Sequence, residues 1–410
     1  MRVVLAALVA LVCCGVWPAS AQVTLTFDKR PSIEVRDVFS MDFRLKSQMD
    51  FRDFPVEPAT DAKDVFDLHR ARVGIDGHFM QKWFDYQVEW ELSDPTGPWR
   101  DAYLDARVLP FLELRGGQFK IPFGLDQLTS SMDLDFNYRS LAGTYLAPGR
   151  DLGVMAHGHL LNVLHYQAGV FRKGGDNVRA SERSDPQTNR TYAGRLVVTP
   201  WNGSSHRALR SLGVGVAFTD GALPAGPNGL RGKTVPGDAF FQRLYVNGRR
   251  QRIGAEVQWR TGSFGAQGEF MRARDQRFGQ GIDNEDLADV FANGWYVSTT
   301  WLVTGERKTD SVAPEHPFLH GSFGAIELAG RVERLASAND GSSSAATDSP
   351  RSAVIVPRAD DVWTAGVNWY LNDYVKLQAN LIREQRLVNG VVIPGQAHLW
   401  SRTLRIQFGF

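Results

Sequence analysis

The chain has 410 residues, with 46 Lys+Arg against 45 Asp+Glu and a formal net charge of +1. Balanced charge excludes a general nucleic-acid binder. Hydrophobic residues make up 43% and charged residues 22%, and no long apolar run follows the first two dozen positions, which excludes a disordered acidic tail and a bundle of membrane helices.

The chain opens like an export signal. Arg2 supplies a positive start, Val3 to Val16 are apolar, and Ala19-Ser20-Ala21 is a small-residue cleavage site. The signal peptide is therefore expected over 1–21, with the mature domain over 22–410 beginning at Gln22. Cys13 and Cys14 both lie inside the signal. A lipoprotein would need a small residue before its acylated cysteine, and Cys14 follows Cys13. The mature chain then has no disulfide, so an extensive hydrogen-bonded sheet must hold it.

From residue 33 onward the sequence alternates with period two. Phe39, Met41, Phe43 and Leu45 oppose Asp42, Arg44 and Lys46. Trp90 and Leu92 oppose Glu89 and Glu91, and Leu404, Ile406, Phe408 and Phe410 oppose Thr403, Arg405 and Gln407. Side chains of a strand alternate between faces, so each segment has one apolar and one polar surface. Sixteen strands are predicted: 33–51, 65–79, 83–94, 100–109, 111–120, 151–161, 163–173, 191–199, 209–219, 251–260, 263–275, 294–304, 323–334, 361–371, 374–385 and 398–410. Most run about 9 to 13 residues, the length a tilted strand needs to cross a bilayer. A soluble sandwich uses shorter strands. Long connections alternate with short ones, as in outer-membrane proteins. The segments 221–237 and 338–352 read as mobile outer tips, and 305–322 is long for a turn on the short side. The fold class predicted is all-β, a transmembrane antiparallel β-barrel of about 16 strands.

The polar face of such a barrel turns inward. It carries Arg36, Arg44, Lys46, Arg70, Arg72, Arg115, Arg195, Arg250, Arg252 and Arg260, together with acids such as Glu89, Glu91, Glu256 and Glu333; Lys120, at the strand end before segment 121–150, is a further pore candidate. Arginine dominates the basic residues, at 37 against 9 lysines, which favours planar contact with carboxylate or phosphate. A ring of such cations selects anions. The competing reading is that each Arg pairs with an inward acid and braces the wall. Arg70 and Arg72 sit two apart on one face, and so do Arg250 and Arg252.

Segment 121–150 has no strand pattern. Thirty residues of that kind would be unusual in a compact domain, but inside a barrel they can pack on the wall and constrict the pore. Arg139 lies in mid-segment beside Tyr138. It either faces permeant ions or holds the loop through Asp133 or Asp135. With Arg70 and Arg72 it is expected at the narrowest point.

No motif for a hydrolase, P-loop or zinc protease occurs. His157 and His159 share one strand face, a possible metal pair, but two ligands do not complete a site and a structural role is the favoured reading. Asp283, Glu285 and Asp286 could hold calcium at a loop tip, but a solvated acidic loop is the favoured reading. No cofactor is expected.

Several segments in order resemble the phosphate-selective porin O and P family. They are Gly117-Gln118-Phe119-Lys120-Ile121-Pro122-Phe123-Gly124, Leu146-Ala147-Pro148-Gly149-Arg150-Asp151-Leu152-Gly153-Val154, Arg70-Ala71-Arg72 with Gly77, Gly194-Arg195 before Pro200, Trp301 to Glu306, Gly366 to Leu371, and the terminal Phe. The resemblance implies a homotrimeric outer-membrane porin of sixteen strands, lying in lipid, that passes small anions such as phosphate. It also implies an inward third loop, here 121–150. The family's lysine cluster is thin here, and position 69 is His where the family often places Arg. Three functions stay open: an anion-preferring porin, a porin for uncharged or mixed solutes, and an outer-membrane enzyme.

Overall fold

The computed structural model describes residues 23–410 apart from 37, 55–65, 81, 95–97, 176–189, 231, 319–320 and 340–348. The expected leader 1–21 and its junction with Gln22 lie outside the described residues.

Two short strands, β1 (Val23–Phe27) and β2 (Pro31–Val35), form a hairpin. The barrel wall begins with β3 (Phe39–Asp53), β4 (Phe66–Phe79), β5 (Phe84–Glu91), β6 (Trp99–Leu109), β7 (Leu112–Lys120), β8 (Arg150–Leu160), β9 (Leu164–Phe171) and β10 (Thr191–Val198). It continues with β11 (Gly213–Pro227), β12 (Tyr245–Thr261), β13 (Phe264–Arg277), β14 (Leu287–Leu302), β15 (Ala325–Asn339), β16 (Arg358–Tyr370) and β17 (Val375–Val388). After the two-residue β18 (Val391–Val392), β19 (Leu399–Gly409) completes it. Each wall strand pairs antiparallel with the next. β19 then pairs with β3, from Arg402↔Asp53 to Gly409↔Lys46. This closes a barrel of sixteen strands and leaves the wall no open edge.

Alternation decides which face is which. On β19, Trp400, Leu404, Ile406 and Phe408 are exposed outward, while Ser401, Thr403, Arg405 and Gln407 are buried inward. An outer belt of this kind would be unfavourable in water and suits lipid.

All sixteen expected strands are present, with three kinds of difference. The span 33–51 is broken, because Arg36 takes a φ of 44° in an exposed turn between β2 and β3. β11, β12 and β14 run further than predicted, ending at Pro227 and starting at Tyr245 and Leu287. Their extra residues hide the polar/apolar alternation, because inward positions such as Leu223, Val290 and Ala292 are apolar and buried. The third difference explains the second. Part of the interior is a hydrophobic core. Phe123, Leu141, Ala142 and Leu146 pack there with Leu230, Phe240 and Phe241, against the inward Ala217, Met271, Ala273, Ala292, Leu335, Val362 and Ile382. The segment 221–237, expected as a mobile tip, is thus strand as far as Pro227, and its Leu230 is buried in that core. Most of the other expected tip lies outside the described residues.

Candidate functional site: a cation network on the inner wall

The inner face of β3–β6 is shaped by irregular pairing. Gln48 faces Arg70 and Met49 faces Leu68, which leaves His69 as an extra residue. A bulge of this kind re-aims side chains. His69 and Arg70 both turn inward as a result. His69 Nδ1 lies 3.1 Å from Arg52 Nη2 and 3.9 Å from Asp50 Oδ2. Arg70 Nη1 donates to Gln48 Oε1 at 2.7 Å, and its Nε is 3.8 Å from Glu91. A second irregularity, between Val88 and Trp90, sets Glu89 opposite Arg100 and Asp101.

These distortions gather charge. Arg72 donates to Glu91 at 2.6 Å and to Glu89 at 2.9 Å. Lys46 Nζ also donates to Glu89. Arg100 Nε is 3.7 Å from Glu91, and its Nη2 donates to Asp94 at 3.1 Å. Lys46, Arg70, Arg72 and Arg100 therefore share the carboxylates Glu89 and Glu91. Arg150 sits nearby on Asp101, with bonds of 3.0 and 2.9 Å.

Segment 121–149 is held by many polar contacts. Gly124, at a φ of 81°, starts the short helix Leu125–Leu128, a backbone state that suits glycine. The Glu269 carboxylate accepts the N–H groups of Leu125 and Asp126 at 2.5 and 2.8 Å, satisfying the free amides of the helix start. At the other end, Lys120 Nζ donates to the carbonyls of Gln127, Leu128 and Thr129 at 2.7, 3.0 and 3.0 Å. Arg139 donates to the carbonyls of Asp126 and Thr129, the latter at 2.7 Å. Burial lowers the Arg139 pKa; Arg150 and Arg72 push the same way, while Asp126 opposes them. Further along, Asn137 bonds Asn380 and Thr403, each at 2.8 Å. Leu141 N donates to Glu333 at 2.5 Å, and Lys376 donates to the carbonyls of Met132 and Leu134 at 2.9 and 3.0 Å. These partners stand on β15, β17 and β19, far in strand order from β7 and β8 where the segment begins and ends.

Arg139 thus grips backbone carbonyls. Asp133 and Asp135, its expected acidic partners, are engaged elsewhere: Asp133 accepts the Ser311 hydroxyl at 2.6 Å, and Asp135 accepts Lys308 at 2.5 Å. Burial lowers the Lys308 pKa, but Asp135 and Glu327 outweigh it, so the ammonium is held above its usual range. The long connection 303–324 therefore reaches the 121–149 segment, which accounts for its length.

The other expected residues are mostly braced. Arg44 lies 3.4 Å from Asp76. Arg115 contacts Asp105 at 2.5 and 2.9 Å. Arg195 donates to Glu256 at 3.0 Å, and Arg250 donates to Asp275 twice at 2.7 Å. Arg252 is buried beside Thr219, 3.5 Å away, and Arg260 pairs with Asp310 at 2.5 Å. Arg36, placed on the inner face by sequence phase, is instead in the exposed turn described above. The acids of the 278–286 connection fold their own turn: Glu285 accepts Ile282 N and Asp283 N, and Asp286 accepts Gly279 N.

Sequence reasoning missed Arg100 and Arg150, each at the first or second residue of its strand. It also missed a basic recess of about 620 Å³ on the short-turn side, lined by Arg207, Arg210, Arg260, Arg307 and Lys308 with Asp310. Three of those arginines, Arg207, Arg210 and Arg307, lie in connections, where strand phase says nothing.

Residues 39–390 match the family model described as phosphate-selective porin O and P. Porin O of Pseudomonas aeruginosa is 25% identical over 366 residues, covering 78% of this chain and 76% of that protein. The fold is similar to OmpT, an outer membrane protein of Vibrio cholerae, with a TM-score of 0.58, 11% identity and coverage of 91% and 98%. An anion-selective porin from Comamonas acidovorans gives a TM-score of 0.54 at 12% identity, covering 91% of this chain and all of that one. The outer membrane channel DcaP of Acinetobacter baumannii gives 0.56 at 8% identity, with coverage of 92% and 99%.

Proposed function

The chain belongs to the phosphate-selective porin O and P family, and from that membership we propose an outer-membrane channel for passive diffusion of small anions. The observation that carries the anion preference is the sharing of Glu89 and Glu91 by Lys46, Arg70, Arg72 and Arg100. Arginine keeps its charge at any working pH and presents a planar fork to an oxyanion. Arg70 is the member best placed to meet solute, since its nearest carboxylate contact is 3.8 Å long. Phosphate and similar oxyanions are the substrate class this fork fits, in keeping with the description of the family. Segment 121–150 is read as the inward constriction loop, supported by its bonds to Glu333, Lys376, Asn380 and Thr403. Membership of a porin family favours a channel over an enzyme.

The test is reversal potential in planar bilayers under a chloride gradient, with phosphate then added. Arg70→Ala is expected to lower anion preference and weaken phosphate block of the chloride current. Arg351→Ala should change neither, because Arg351 holds the carbonyls of Gln280 and Gly281 in a loop. An Arg70→Ala channel with wild-type reversal potential and block would reject the reading.

A second reading, a porin for uncharged or mixed solutes, is favoured by one observation. Most inward arginines already hold a carboxylate, as Arg250 holds Asp275 and Arg405 holds Asp50. A wild-type reversal potential near zero would select it.

We further read 1–21 as a cleaved export signal and the assembly as a homotrimer in the outer-membrane lipid. OmpT of Vibrio cholerae has a trimer form and shares the fold. Native mass measurement in mild detergent is expected to give three protomers, each starting at Gln22. A single protomer mass would count against the trimer.

A further inference from the structure

A second cluster lies near the short turns of β6–β9, apart from the network on β3–β6. Glu113 on β7 and His157 on β8 are cross-strand partners, and Asp105 on β6 faces Arg115 on β7. Ligand atoms of Asp105, Glu113 and His157 all lie within 4.8 Å of one another. His157 Nε2 is 2.9 Å from Asp105 Oδ1 and 3.1 Å from Oδ2.

The neighbours show how the two carboxylates are used. Arg115 places both Nε and Nη2 on Asp105 Oδ2, at 2.9 and 2.5 Å, so Oδ1 is turned to His157 alone. Arg107, the cross-strand partner of Glu113, donates to Asp85 instead. Among the described residues, no hydrogen bond or ion pair engages the Glu113 carboxylate. An idle carboxylate beside an Asp–His pair leaves a ligand atom available next to two others.

We propose that Asp105, Glu113 and His157 form a binding site for a divalent transition-metal ion of the zinc class. One imidazole nitrogen and two carboxylate oxygens suit a borderline-soft ion and leave a position for water. On binding, the ion takes the place of the proton between His157 and Asp105 Oδ1. Arg115 stays on Oδ2 and orients the carboxylate, the part an outer-shell partner plays. His159 and His165, next along the same faces toward the turns, stack at 4.4 Å between ring centres. They are positioned to meet an ion approaching from the short-turn side, and are not ligands of the site.

The site is tested by calorimetric titration of untagged, chelator-stripped protein in detergent with zinc chloride. One zinc per chain is expected, with binding lost in His157→Gln and in Glu113→Gln. The His159→Ala/His165→Ala double variant should keep that stoichiometry. In a parallel experiment, the Cu²⁺ electron paramagnetic resonance spectrum should show imidazole nitrogen coupling that disappears in His157→Gln. Heat-modifiable mobility on gels verifies that each variant is folded. The proposal is overturned if wild type binds no more zinc than His157→Gln, if Glu113→Gln binds like wild type, or if the double variant alone abolishes binding.

Discussion

Arg72→Ala is expected to shift reversal potential towards cations more than any other single arginine change. Among the described residues, Arg72 is the one cation bonded to both shared carboxylates, Glu91 at 2.6 Å and Glu89 at 2.9 Å. It is buried, as are both acids. Removing one member of a buried ionic group leaves charge uncompensated, which costs about 3–5 kcal/mol in comparable sites. After the change only Lys46 remains hydrogen-bonded to Glu89, and Arg70 and Arg100 stand beyond hydrogen-bond distance from Glu91. The inner wall thus loses a cation and uncovers an anion in one step. A fall in the anion-to-cation permeability ratio of about tenfold is expected, equivalent to about 1.4 kcal/mol. Arg72→Lys keeps the charge but cannot reach both acids with one planar fork, so an intermediate shift is expected. If folded Arg72→Ala channels keep the wild-type ratio, the network braces the wall without governing permeation.

The barrel was legible because its signal is repeated sixteen times. Each strand turns one face outward and the other to the interior, and period-two alternation records that directly. The signal failed where the inward face is not polar. Ala292, Leu335 and Val362 point inward yet carry no polarity, because the 121–149 and 228–244 segments cover them. The inner cations were legible by phase, but their partners were not. Arg72 finds Glu89 and Glu91 through cross-strand pairing, which the sequence spacing alone leaves open. The bulge at His69 is the clearest case. Strict alternation puts His69 on the face opposite Arg70, whereas the extra residue brings both inside. Arg139 shows the converse: its place in the loop was evident, but its true partners are backbone carbonyls, which no side-chain pattern announces.

Arg139→Ala is expected to raise single-channel conductance and increase current noise, while the barrel remains folded. The Arg139 guanidinium and Lys120 together hold the carbonyls at the end of the Leu125–Leu128 helix. Loss of the guanidinium leaves the Asp126 carbonyl without that donor and removes one from Thr129. Leaving a buried polar group unsatisfied costs about 1–3 kcal/mol. That is enough to loosen this turn but not the whole segment. Phe123, Leu141 and Leu146 remain in the apolar core, and Asn137 keeps its bonds to Asn380 and Thr403. The free edge of the loop therefore gains freedom while its seat on β15–β19 persists. Anion preference should fall as well, since Arg139 lies close enough to Arg72 and Arg150 for their charges to oppose it. Arg139→Lys retains the charge with a shorter reach and no fork, so its conductance should lie between the two. The decisive comparison is conductance against selectivity. A variant that loses anion preference at unchanged conductance and noise would place the Arg139 charge on the ion path and reject its part in holding the loop.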